Sequence, residues 1–123
     1  GYNMSMKIET YKQYREVWDK RLKEEEEELN RKRELLIRKV RLCARKLKEL
    51  GGKRVILFGS LATGSFRKDS DVDIAVEGLS VDAYFKALGI LEETLDDVTF
   101  DLVDLKEALP SVVKRIEREG VQL

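Results

Sequence analysis

The sequence predicts an α+β (α/β-like) fold, in which a long charged N-terminal helix precedes a small sheet with helices on its faces. Three observations carry that reading. Residues 8–50 contain neither proline nor glycine and repeat apolar residues at helical spacing. Gly51-Gly52 ends that texture. Beyond it, short runs rich in β-branched residues alternate with amphipathic segments, the order expected of a sheet covered by helices.

At 123 residues the chain has the length of one domain. Residues 1–7 are expected to be disordered or cloning-derived, with Gly1 to Asn3 ahead of a natural start at Met4 or Met6. Residues 8–50 form the long helix, which would reach roughly 65 Å at 1.5 Å per residue. Its stripe runs through Tyr11, Tyr14, Trp18, Leu22, Leu29, Leu36, Val40, Cys43, Leu47 and Leu50. The middle, "DKRLKEEEEELNRKR", is almost entirely charged. It reads either as a solvated helix held by pairs such as Glu27 with Arg31 and Glu28 with Lys32, or as an arm for a homodimer or another partner. Leu22, Leu29, Leu36, Cys43 and Leu50 recur every seven residues, which favours the arm, whereas Glu25, Glu26, Lys32 and Arg33 at the seam disfavour a strong coiled coil.

The core is expected over residues 51–123. "RVILFG" reads as a buried strand and "DVDIAVEG" as a second, alternating one. "SVDAYFKALGILEETL" reads as a helix capped by Ser80, with Tyr84 and Phe85 in its core face. "VTFDLVDL" is a third strand and "LPSVVKRIEREG" a last helix.

Composition narrows the function. Lys plus Arg and Asp plus Glu each number 24, so no net charge favours direct nucleic-acid binding. One cysteine and no histidine exclude an internal disulfide and make a zinc site improbable. No apolar run approaches a membrane span, and a soluble, cytoplasmic protein is expected.

The chemistry lies in "FGSLATGSFRKDSDVDIAV". Residues two apart in a strand share a face, so Asp71 and Asp73 point together, and Asp101 on the third strand supplies a matching carboxylate. Two such charges at 4 Å repel by roughly 4 kcal/mol at an effective dielectric of 20, which a divalent cation would reverse. An all-oxygen set suits Mg²⁺, with Mn²⁺ as the alternative. Gly59 allows close backbone approach and Ser60 adds a hydroxyl for an anion. No Gly-Lys-Ser/Thr is present, so this is not a Walker-type loop.

A Gly-Ser, ten residues, then Asp-x-Asp, with a third acid in "FDLVDL" and the terminal "RIEREGVQL", closely resembles the minimal nucleotidyltransferases of the DNA polymerase beta superfamily. The resemblance runs from about Val55 to Leu123 and implies a mixed-sheet nucleotidyltransferase core. It implies that Asp71 and Asp73 bind two Mg²⁺ ions, that Asp101 holds one and helps activate the attacking hydroxyl, and that Gly59 and Ser60 hold the nucleoside triphosphate. Ser70 also fits the nucleotide-binding pattern. Many relatives carry an arginine where this chain has Thr63. Arg67 and Lys68 stand nearby but read as solvated loop cations, and Asp69, Asp96, Asp97 and Asp104 as capping or surface groups.

Members of that kind act as antitoxins, transferring AMP from ATP to a tyrosine of a HEPN-domain partner, and the resemblance implies the same here. The alternatives are a catalytically silent nucleotide-binding or partner-binding module, and a homodimer acting on a small molecule.

Overall fold

The structure, a computed structural model, describes residues 4–123; the expected cloning remnant at residues 1–3 lies outside them. The elements are α1 (Met4–Glu49), β1 (Arg54–Phe58), α2 (Ser60–Thr63), β2 (Val72–Glu77), α3 (Val81–Thr94), β3 (Phe100–Asp104), α4 (Pro110–Glu119) and β4 (Val121–Gln122). The strands form one mixed sheet in the order β3-β2-β1-β4. β1 pairs antiparallel with β2 and β4, while β2 and β3 run parallel. The parallel pair is joined through α3, as a crossover requires. β4, a two-residue strand, is absent from the sequence reading because so short a segment has no period of its own.

α1 starts at Met4, not Ile8, so residues 4–7 are helical rather than disordered. The chain divides into two units, Gly1–Lys32 and Arg33–Leu123. Residues 4–32 of the first are a single helix with Tyr11, Tyr14, Val17, Trp18 and Leu22 exposed. Tyr14 and Trp18 meet edge to face at 6.2 Å, and the Arg21 guanidinium lies 5.3 Å from the Trp18 ring centroid. Among the described residues of this helix the i,i+4 ion pair formed is Arg15–Asp19, at 3.9 Å, in place of the pairs expected at Glu27 and Glu28.

The second unit holds the core. Ile56, Phe58 and Ala75 face α4 and pack with its Ile116, bordered by Val103, Leu105 and Val112. Strand alternation sends Val55, Leu57, Val72, Ile74 and Val76 to the opposite face, all of them buried. Buried stripes on α1 (Leu36, Val40, Cys43, Leu47) and α3 (Ala83, Ala87, Leu91) supply the remaining apolar surface. The buried part of the sequence stripe therefore begins at Leu36. Ser80 caps α3 as expected, accepting from the Ala83 N–H at 3.1 Å. Phe85, expected in the core, is 65% exposed. Tyr84 is half-buried, and its hydroxyl donates to the Leu102 carbonyl. No helix among the described residues is long and apolar enough to cross a membrane.

Candidate active site

The sheet places the candidate residues by register. Asp73 on β2 stands opposite Asp101 on β3 and, on its other side, opposite Phe58 on β1. Directly paired residues of neighbouring strands share a face, so Asp73 and Asp101 lie on the α4 side of the sheet with Val103. Asp71 lies one residue before β2, and its carboxylate accepts from the Thr99 hydroxyl.

Gly59, directly after β1, completes the row. Its φ of 74° and ψ of −157° suit glycine alone. A Cβ built there would sit 2.1 Å from Asp73 Oδ2, so any side chain would displace the carboxylate. Ser60 opens α2, a single turn in which the Thr63 N–H and the Ala62 N–H both donate to the Gly59 carbonyl at 3.1 Å. Ser70 sits in the following loop, where its Oγ accepts from the Arg67 N–H at 2.9 Å and its own N–H donates to the Arg67 carbonyl at 3.1 Å. That bond pair shapes the loop, and Ser70 is not in the Asp73–Asp101–Gly59 row.

Two residues that sequence reasoning missed reach the same row from α4. Arg115 Nη2 lies 3.8 Å from Asp73 Oδ2, and its guanidinium carbon lies 5.4 Å from the Phe58 ring centroid. Glu119 Oε2 accepts from the Gly59 N–H at 3.3 Å and from Arg115 Nε at 3.2 Å. Burial raises the Asp73 pKa above the ordinary carboxylate value; Arg115 opposes that rise, and Asp101, Asp71 and Glu119 reinforce it.

Among the described residues no three acidic or cysteine side chains already stand in a metal-binding arrangement. The expected convergence is thus one of backbone position. Asp71 turns to Thr99 and Asp73 to Arg115, as like charges do when other partners are in reach. The donor set still fits a hard divalent cation: it is all oxygen, two of its members are directly paired, and the half-buried Asp73 is repelled by Asp101, Asp71 and Glu119. Of the remaining acids, Asp104 accepts from the Lys106 N–H at 3.0 Å, and Asp96 and Asp97 lie 3.9 and 4.0 Å from Lys39. These are turn and surface contacts, as expected.

Residues 44–123, which carry this glycine and both paired aspartates, match the family model of the polymerase beta nucleotidyltransferases. The chain belongs to that family. Among solved structures, this member of the family resembles a protein provisionally described as a minimal nucleotidyltransferase, with a TM-score of 0.65 and 28% identity over 74% of this chain and 95% of that one. A toxin–antitoxin structure with AMP-PNP matches with a TM-score of 0.54 and 27% identity, covering 73% of this chain and 70% of that one. An MntA–HpeT toxin–antitoxin structure carrying two aspartate-to-glutamate substitutions matches with a TM-score of 0.53 and 28% identity, covering 62% and 64%. The chain therefore spans less than two thirds of that last relative's length. No curated protein matches it by sequence.

Proposed function

We propose that this nucleotidyltransferase moves AMP from ATP to a hydroxyl acceptor, a tyrosine of a HEPN-type toxin, and so acts as an antitoxin. The observation that carries the transfer chemistry is the direct pairing of Asp73 with Asp101 beside a Gly59 that tolerates no side chain. Family membership supports the reaction class, and toxin–antitoxin neighbours, one of them with an ATP analogue, support the nucleotide and the partner. In the substituted MntA–HpeT relative the two altered aspartates are two positions apart, as Asp71 and Asp73 are.

In this reading Asp71 and Asp73 would hold two Mg²⁺ ions and Asp101 would hold one of them. When bound, the ions neutralise charge on the transferring phosphoryl group and on the departing pyrophosphate. The Gly59 N–H and the Ser60 hydroxyl hold the triphosphate, and Ser70 keeps the loop between them and Asp71 in shape. Asp101, the exposed member of the pair, takes the proton of the incoming hydroxyl. The acceptor oxygen then bonds to the α-phosphorus as the bond to pyrophosphate breaks.

Incubation with Mg²⁺ and each nucleoside triphosphate labelled at the α-phosphorus, in lysate of the source cells, tests this. One labelled protein band, strongest with ATP and lost with Asp73→Asn, is the expected result. Label that persists at the wild-type rate in Asp73→Asn would overturn the site assignment. Nucleotide binding without any labelled protein would move the assignment to a small-molecule acceptor or a silent binding module.

A further inference from the structure

Thr63, at the end of the Gly-Ser turn, bonds locally to Ser65, and two arginines near the turn are engaged with its backbone. Arg33 donates to the carbonyls of Gly64 and Phe66, and Arg67 to that of Phe66. These three hydrogen bonds fasten the loop backbone. Arg115, in contrast, reaches the Asp73 row from α4 with its guanidinium beside Asp73 Oδ2.

Its contacts are of a replaceable kind. At 3.8 Å the Arg115–Asp73 pair is longer than a hydrogen bond, and the Glu119 contact to the Gly59 N–H, at 3.3 Å, is beyond the usual N–H···O range. Each contact imitates one half of a metal–nucleotide complex. The guanidinium supplies Asp73 with positive charge, and the Glu119 carboxylate supplies the Gly59 N–H with an anionic oxygen. Arg115 Nε and Glu119 Oε2, at 3.2 Å, tie the two halves into one unit carried by a single helix turn.

We propose that Arg115 is a triphosphate-binding residue of the site and that Glu119 occupies the phosphate position at Gly59 until nucleotide arrives, an inference that rests on the nucleotidyltransferase reading above. Arg115 would leave Asp73 once that carboxylate held a cation, and a phosphate oxygen would replace the Glu119 carboxylate at the Gly59 N–H. Arg115 then faces the phosphate chain, the type of partner a planar guanidinium binds best. Glu119 is a positioning residue in this scheme, because it acts through Arg115 and by vacating Gly59.

Titration calorimetry with ATP, inorganic tripolyphosphate and adenosine tests the inference on the full chain, each with Mg²⁺ and with EDTA. Arg115→Ala is expected to weaken ATP and tripolyphosphate about tenfold or more, in line with loss of a charge-assisted contact, and to leave adenosine unchanged; Arg115→Lys is expected to recover part of the loss. Glu119→Gln is expected to tighten tripolyphosphate several-fold in EDTA, because a competing carboxylate has gone. Arg115→Ala binding tripolyphosphate as the wild type does would overturn the inference alone. Equal losses for adenosine and tripolyphosphate, or a collapsed melting transition that Arg115→Lys does not restore, would also overturn it by showing a structural role. If the wild-type chain binds neither ATP nor any other nucleoside triphosphate with Mg²⁺, this inference and the nucleotidyltransferase reading fail together.

Discussion

Gly59 carries two constraints at once, a positive φ and a carboxylate lying where a Cβ would be. Gly59→Ala should therefore cost stability and function together. The backbone term alone is about 1–2 kcal/mol, and displacement of Asp73 should lower transfer by at least about a hundredfold, since small misplacements of reacting groups have that effect. Thermal melts beside labelled-ATP assays check both. Asp73 behaves differently. Its ionised form is desolvated and repelled by Asp101, Asp71 and Glu119, with Arg115 the opposing charge. Asp73→Asn should abolish transfer yet raise the melting temperature of the metal-free protein. A lowered melting temperature would mean that the Arg115 contact outweighs the burial and repulsion it opposes.

At the scale of elements, α4 is the piece on which the site leans. Ile116 is its buried anchor against Ile56, Phe58 and Ala75, and it sits one residue after Arg115 and three before Glu119. Gly120 follows with a φ of −71°, and a Cβ there would come within 2.3 Å of the Ile116 carbonyl oxygen. This close approach is how the chain leaves the helix for β4. Ile116→Ala should cost about 2–5 kcal/mol, as deletion of a packed aliphatic side chain does. It should also weaken tripolyphosphate binding while Asp71, Asp73 and Asp101 are untouched, and calorimetry on the folded variant measures that. α1 offers a second test at Cys43, which is fully buried and whose thiol is pushed above its usual 9.0 by burial, with Thr94 and Lys46 opposing. The thiol should resist alkylation at pH 8 until denaturant opens the fold. Its sign in stability follows from linkage: the contribution is full below the unfolded value of about 9 and is lost as pH rises through the higher folded value. Tyr84 is raised in the same direction. Denaturation midpoints measured across pH 8–11 should fall, less steeply in Cys43→Ala.

For the whole molecule, every buried apolar residue among those described lies at Leu36 or beyond, so the helix over residues 4–32 contributes none of these core residues. A chain beginning at Arg33 should keep a cooperative melt and nucleotide binding. If the aromatic stretch Tyr11–Trp18 is an assembly arm, that shorter chain should sediment as a smaller species, and an unchanged sedimentation coefficient would exclude the arm as a self-association device. By itself the sequence determined the long helix, the three main strands, both flanking helices and the presence of a Gly-Ser turn and strand aspartates from which the site reading starts. Each of these is written in local period or in short spacing, and period and spacing survive without a partner. Only the tertiary structure decided that Phe85 faces outward, that two C-terminal residues close the sheet, and that Arg115 and Glu119 belong to the site. In "SVVKRIEREG" the charges at residues 114, 115, 117, 118 and 119 look alike along the chain. Which of them meets Asp73 and Gly59 depends on how Ile116 seats α4 across the sheet, a long-range packing choice that no local pattern records.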